Sequence, residues 1–179
     1  MNPASNLILI GPMGAGKSCI GRRLAERYGL RLADADREIE QRTGASVTTI
    51  FACEGESGFR ARERAALREL LSGDGLVLAT GGGAVLDPDN RELLRTRGFV
   101  VHLHVAPEQQ RERLARDTTR PLLARADRDA VLEELAIVRE PLYAEVADLR
   151  FDTRQLSAEE AAAELARVLQ TTWQRGVAA

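Results

Sequence analysis

The sequence predicts an α/β fold with a mainly parallel sheet and helices on both faces. Two observations carry this expectation. Short, mostly apolar runs recur at Leu7–Ile10, Leu76–Ala79 and residues 99–105, as in strands buried on both sides. Segments with helical spacing or helix-start residues stand between them, and that alternation is the mark of βα units.

The elements follow in order. Leu7–Ile10 is a strand running into a Gly-rich turn. Lys17–Tyr28 is a helix, because Ile20, Leu24 and Tyr28 recur at four-residue steps and Gly29 stops it. Residues 30–33 form a second, short strand. Residues 38–42 and 47–52 form brief helices around Gly44, and residues 59–71 a longer one ended by Ser72 and Gly73. Leu76–Ala79 is a strand leading into Gly81-Gly82-Gly83. Residues 91–96 are helical and residues 99–105 are a strand. Pro107 opens a helix to about Arg116. Residues 117–129 are polar and Arg-rich without a period, and read as a mobile loop or a lid. Residues 130–146 are helical up to a break or kink at Pro141. Residues 149–151 form the last strand. Ser157 heads a helix over residues 158–170, with Glu160 completing a capping box. The tail from Arg175 frays.

The chain has 179 residues, within the usual range of one domain. It is 44% hydrophobic and 29% charged, a composition that excludes disorder as the organising state. A net charge of −2 argues against a general nucleic-acid or membrane-surface role. Cys19 and Cys53 have neither metal-ligand spacing nor a disulfide framework, which points to a reducing compartment. No run has the length of a signal peptide or membrane span, so a cytoplasmic location is the default expectation, and with no interface signal visible a monomer is the default.

Gly11-Pro12-Met13-Gly14-Ala15-Gly16-Lys17-Ser18 satisfies G-x-x-x-x-G-K-[ST], with a strand before it and a helix after it. Glycines let successive N–H groups turn toward one centre, and the helix adds its positive end. Lys17 reaches β- and γ-phosphates, and Ser18 is a ligand for Mg²⁺. This marks a nucleotide-binding phosphate loop. Cys19, inside the helix, reads as a packed residue.

Further residues narrow the acceptor. Asp34 and Asp36 end the second strand, and that spacing in an extended segment puts both carboxylates on one side. One can support Mg²⁺ while the other orients an acceptor hydroxyl. The alternative is that Asp36 only caps the next helix. Gly81-Gly82-Gly83 lets a ligand approach the backbone, or is a plain turn. Arg60 reads as solvated and Phe59 as core.

The ordered set Gly11 to Ser18, Asp34/Asp36, Gly55 to Arg60, Gly81 to Gly83, Arg120 to Leu122 and Arg139 to Tyr143 resembles the shikimate kinase family. The resemblance spans about Asn6 to Phe151. It implies a three-layer P-loop kinase fold with a five-stranded parallel sheet of order 2-3-1-4-5. A substrate-binding insertion at about residues 34–63 and a lid at about 116–128 would belong to one domain, residues 1–179. The implied reaction moves the γ-phosphate of ATP to the 3-hydroxyl of shikimate, with Mg²⁺. Gly14, Ala15, Gly16, Lys17, Ser18, Cys19, Arg113 and Arg120 would bind ATP. Ser18 would hold Mg²⁺ directly and Asp34 through water. Asp36 would be the base, with Lys17 and Arg120 completing the catalytic set. Arg60 and Arg139 would bind the carboxylate of shikimate, Gly82 would offer its N–H to a hydroxyl, and Glu63 would position Arg60. Arg154, in the loop after the last strand, would be a neighbour for adenine outside this site set.

Other readings remain. The chain could be a different small-molecule P-loop kinase, acting on gluconate or a nucleotide, or a non-catalytic nucleotide sensor. His102 and His104 share a strand face, but with no carboxylate or cysteine at suitable spacing they read as packing residues, not metal ligands. The arginines around the lid lack interleaved aromatics, so they read as nucleotide-facing or solvated rather than RNA-binding.

Overall fold

The computed structural model describes residues 4–115, 127–153 and 156–174. Five strands, β1 (Leu7–Ile10), β2 (Arg31–Asp34), β3 (Leu76–Ala79), β4 (Phe99–His104) and β5 (Leu149–Asp152), form one sheet of order β2-β3-β1-β4-β5. Every pairing among them is parallel. The central β1 is wholly buried, whereas the edge strands β2 and β5 are half-buried. This is the order expected from the resemblance.

Alternate residues of the strands feed opposite faces. Leu7, Leu9, Val101 and Leu103 pack with α1 (Lys17–Tyr28) and α7 (Ala158–Thr172). Ile8, Ile10, Leu78 and Val100 pack against α3 (Val47–Leu70), α4 (Pro88–Arg97) and α6 (Arg128–Val146). Three layers result. Trp173 closes the first face: its indole donates to the Ala4 carbonyl (2.7 Å) and meets Tyr28 edge-on.

Helix ends obey local chemistry. Gly29 and Gly44 end α1 and α2 (Ala35–Thr43) in the left-handed conformation. Ser157 and Glu160 make the expected capping box. The two segments expected at residues 47–52 and 59–71 lie on either side of Gly55, whose non-helical backbone (φ 69°, ψ −175°) divides α3 into two helices meeting at a kink. α6 runs through Pro141 instead of breaking there. The carbonyl freed by that proline belongs to Ile137, which is 76% exposed, so water can satisfy it.

Two smaller apolar clusters sit beside the sheet. Ile39, Ile50, Phe59 and Ala66 bind α2 to α3. Met13, Leu114 and Leu132 bind the loop after β1 to α5 (Pro107–Leu114) and α6. No helix among the described residues is long and apolar enough to cross a membrane.

Candidate active site

The site gathers at the carboxyl ends of the strands, where loops between parallel strands and their helices create a crevice. The turn after β1 is shaped by two glycines in particular. Gly16, the residue before α1, has φ 89° and would be strained with any side chain. A Cβ on Gly11 would collide with the Leu103 carbonyl, so only glycine lets this loop lie against β4.

Lys17 Nζ donates to the carbonyls of Gly11 (2.7 Å) and Pro12 (2.8 Å), which holds its charge over the loop. Gly14, Gly16, Lys17, Ser18 and Cys19 line a cleft of about 720 Å³, together with Asp34, Asp36 and Arg113. Ala15 is fully buried, with its side chain in the core. Cys19 is exposed on the cleft rather than packed, because its helix position faces away from the sheet. Arg113 ties the cradle to the loop after β5, donating to the Gly14 carbonyl (3.0 Å) and to Thr153 (3.1 Å). Thr153 and Gln110, which donates to the Met13 carbonyl (2.9 Å), support the cradle and carry no sequence signal.

The two aspartates divide their work differently from the sequence reading. Asp34, not Asp36, caps α2: one carboxylate oxygen accepts from the N–H groups of Asp36 (3.1 Å) and Arg37 (3.3 Å). Its other oxygen accepts from Ser18 Oγ at 2.5 Å. Asp36 lies in the first turn of α2, so the pair does not share an extended face. Both still border the large cleft. Ser18 and Asp34 thus present adjacent oxygen ligands beside the cradle, a donor set that fits Mg²⁺.

A second cavity of about 420 Å³ adjoins the first, and Asp36, Val47 and Gly82 border both. Arg60, Glu63, Gly81, Gly82, Gly83 and Arg139 line its polar side, and Phe51, Phe59 and Val138 its apolar side. Phe59 is core and wall at once: it is 3% exposed and stacks on Phe51 (centroids 4.5 Å apart). Arg60 is not solvated. It pairs with Glu63 (2.7 Å) and Glu56 (3.3 Å), with its guanidinium 5.3 Å from the Phe59 ring centre.

The three glycines explain how the arginines get there. A Cβ on residue 81 would lie 2.8 Å from Glu63 and 2.9 Å from Asp36, and one on residue 82 would lie 3.4 Å from Arg139. One on residue 83 would strike the Arg60 guanidinium. The close approach is therefore made by the protein's own charged side chains. None of these three residues needs a positive φ.

Electrostatics in this cavity is tense. Glu63 is fully buried, and burial pushes its carboxyl above the usual range, opposed by the Arg60 charge and reinforced by Asp36. Glu63 Oε1 and Arg139 Nε are buried without hydrogen-bond partners among the described residues. Such atoms are costly unless a polar ligand meets them. Tyr143, next to Arg139 on α6, donates to the Gly82 carbonyl (2.5 Å) and holds that turn in place. Its phenol is pushed up to about 12, chiefly by burial. Tyr143 belongs to the Arg139 to Tyr143 motif, but its part in the site was not legible there.

The histidine reading needs correction. His102 and His104 do have a carboxylate partner, Glu140 of α6, at 3.7 and 3.4 Å. Burial, then the nearby charges of His104, Arg150 and Lys17, lowers the His102 pKa to about 4. Arg120, Arg154 and most of the expected lid lie outside the described residues.

The comparisons with known proteins bear on the family and the fold. The family model described as shikimate kinase matches residues 13–170. A shikimate kinase of Stenotrophomonas maltophilia (strain R551-3) is 59% identical over 98% of this chain and 97% of its own. One from Xanthomonas oryzae pv. oryzae (strain PXO99A) is 55% identical over 97% of this chain and 96% of its own. The solved shikimate kinase from Acinetobacter baumannii, in complex with shikimate, superposes with a TM-score of 0.91. It is 45% identical and covers 95% of each chain. Two cavities that meet at one aspartate, on a fold and sequence matched nearly end to end, leave one assignment: the chain belongs to the shikimate kinase family.

Proposed function

We propose that the larger cleft holds ATP, that the smaller cavity holds shikimate, and that Asp36 works at their junction. The observation that carries this division is the shared border of the two cavities at Asp36 and Gly82. The acceptor 3-hydroxyl loses its proton to the Asp36 carboxylate as its oxygen bonds to the γ-phosphorus. The bond from that phosphorus to the β-phosphate bridging oxygen breaks, and ADP leaves. Lys17 and the N–H groups of the cradle offset charge on the transferring group, the dominant need in phosphoryl transfer. Mg²⁺, when bound at Ser18 with Asp34 behind it, neutralises phosphate charge.

Shikimate is a small carboxylate with three hydroxyls. Arg60 and Arg139 are planar forks suited to its carboxylate. Glu63 positions Arg60 through their 2.7 Å pair. Gly82 offers its N–H to a ring hydroxyl, while Tyr143 engages its carbonyl. Arg113 sits against the adenine side of the cleft, held by Gly14 and Thr153. Residues 34–63 serve as the acceptor insertion and residues 116–128, with Arg120, as the lid of a single kinase domain. The enzyme works as a cytoplasmic monomer without nucleic-acid or membrane partners.

A coupled ADP-release assay across shikimate, gluconate and nucleoside monophosphates tests the reading. Turnover is expected with shikimate alone. Asp36→Asn should cut kcat severely while ATP binding stays nearly intact, and Arg60→Ala should chiefly raise the KM for shikimate. No turnover with shikimate, or an unchanged KM in Arg60→Ala, refutes it.

A further inference from the structure

We infer that His102, His104 and Glu140 form a binding site for one divalent transition-metal cation of the zinc type, which clamps α6 to β4. This site lies outside the ATP and shikimate cavities and does not depend on how their residues are assigned.

Three observations converge on it. His102 and His104 are two residues apart on β4, so both rings project from one face of the strand. Glu140 reaches them from α6, with its two oxygens 3.7 Å from His102 Nε2 and 3.4 Å from His104 Nδ1. One ligand atom from each residue lies within 4.8 Å of the others. Ligands around a tetrahedral zinc ion, with bonds of about 2.0–2.1 Å, stand about 3.3 Å apart. The His104 separation is already near that value, and rotamer changes within the 4.8 Å cluster bring one Glu140 oxygen to both rings.

The second observation is His102 itself. It is fully buried, and neither ring nitrogen has a hydrogen-bond partner among the described residues. A buried imidazole with two idle nitrogens is expensive. The long contact to Glu140 does not relieve it, because 3.7 Å exceeds hydrogen-bond range. A cation between the two residues would use Nε2.

Third, the site is open enough to load. His104 and Glu140 are partly exposed, their side chains 22% and 41%. They bracket the fourth coordination position, which water would take. Two imidazoles and a carboxylate select zinc-type ions over Mg²⁺, which requires oxygen ligands. Arg150 is the competing cation, 3.7 Å from Glu140 and 56% exposed, so it can swing into solvent. Lys17 contributes further positive charge but is held by the carbonyls of Gly11 and Pro12.

The clamp would bear on the acceptor cavity. His102 stacks on Tyr143 (centroids 4.8 Å apart), and Tyr143 holds the Gly82 carbonyl. Glu140 directly follows Arg139. A bound ion would thus order the segment of α6 that faces shikimate.

The test uses the full chain without an affinity tag, stripped with chelator and kept in Mg²⁺ without nucleotide. Co²⁺ is titrated by visible absorption and then displaced with Zn²⁺. Saturation at one Co²⁺ per chain is expected, with tetrahedral-type bands and no thiolate charge-transfer band. His104→Ala and Glu140→Gln, each checked for native circular dichroism, should each weaken Co²⁺ affinity about tenfold or more. Zn²⁺ should raise the Tm of the wild type but not of His104→Ala. No saturable absorption, a thiolate band from Cys19 or Cys53, or unchanged affinity in either variant overturns the site.

Discussion

The guanidinium of Arg60 fills the space that a Cβ on residue 83 would need, nearer than real Cβ contacts come. Gly83 is therefore a steric condition for the Arg60 position, although the two residues belong to different elements. In Gly83→Ala the guanidinium must move or the turn must shift. Loss of one charge-assisted contact, about 1.5–3 kcal/mol, corresponds to roughly a 10–100-fold rise in the KM for shikimate. The KM for ATP should stay within about twofold, since Gly83 lines the acceptor cavity and not the larger cleft. Steady-state kinetics with each substrate varied in turn decides it, and an unchanged shikimate KM refutes the steric argument.

Asp34 both caps α2 and receives Ser18 Oγ, and one substitution separates the two roles. Asn is as good a cap as Asp, so Asp34→Asn should leave the urea midpoint nearly unchanged. Its lost charge should raise the Mg²⁺ concentration needed for half-maximal turnover by about tenfold. A large fall in stability with an unshifted Mg²⁺ curve would show that the charge serves the fold instead.

Tyr143→Phe removes the hydroxyl that meets the part-buried Gly82 carbonyl. The expected cost is about 0.5–1.5 kcal/mol of stability, seen as a lower urea midpoint with an unchanged slope. The shikimate KM should rise as well, because the turn that lines the acceptor cavity loses its anchor. Wild-type stability in this variant would mean that water replaces the hydroxyl.

His102 sets a pH dependence. Its folded pKa of about 4 lies below the ordinary value of 6.5. Between those values the unfolded chain binds the proton and the folded chain does not. Stability is therefore complete above about pH 6.5 and declines as pH falls toward 4, by up to about 3 kcal/mol. Urea unfolding of metal-free protein across this window should show that slope, and His102→Gln should flatten it. Equal slopes in the two proteins would assign the proton uptake elsewhere.

Much of this site is written locally. The cradle needs only contiguous residues: a buried strand, glycines at Gly11, Gly14 and Gly16, then Lys17 and Ser18 opening a helix. The capping box at Ser157 is equally local. Where the chain was misread, a distant partner decided the outcome. Cys19 is exposed because of where α1 meets the sheet. His102 and His104 appeared to lack a carboxylate, since Glu140 arrives from another element.

By itself the sequence determined the strands, the phosphate cradle and the alternation that makes the sheet parallel, because strand and turn preferences act over a few neighbouring residues. Only the tertiary structure decided that Arg60 from α3 and Arg139 from α6 press on the same three glycines after β3, and that Asp36 stands between two cavities. Those distances follow from α3 and α6 packing on one face of the sheet. Packing links residues that no local pattern relates.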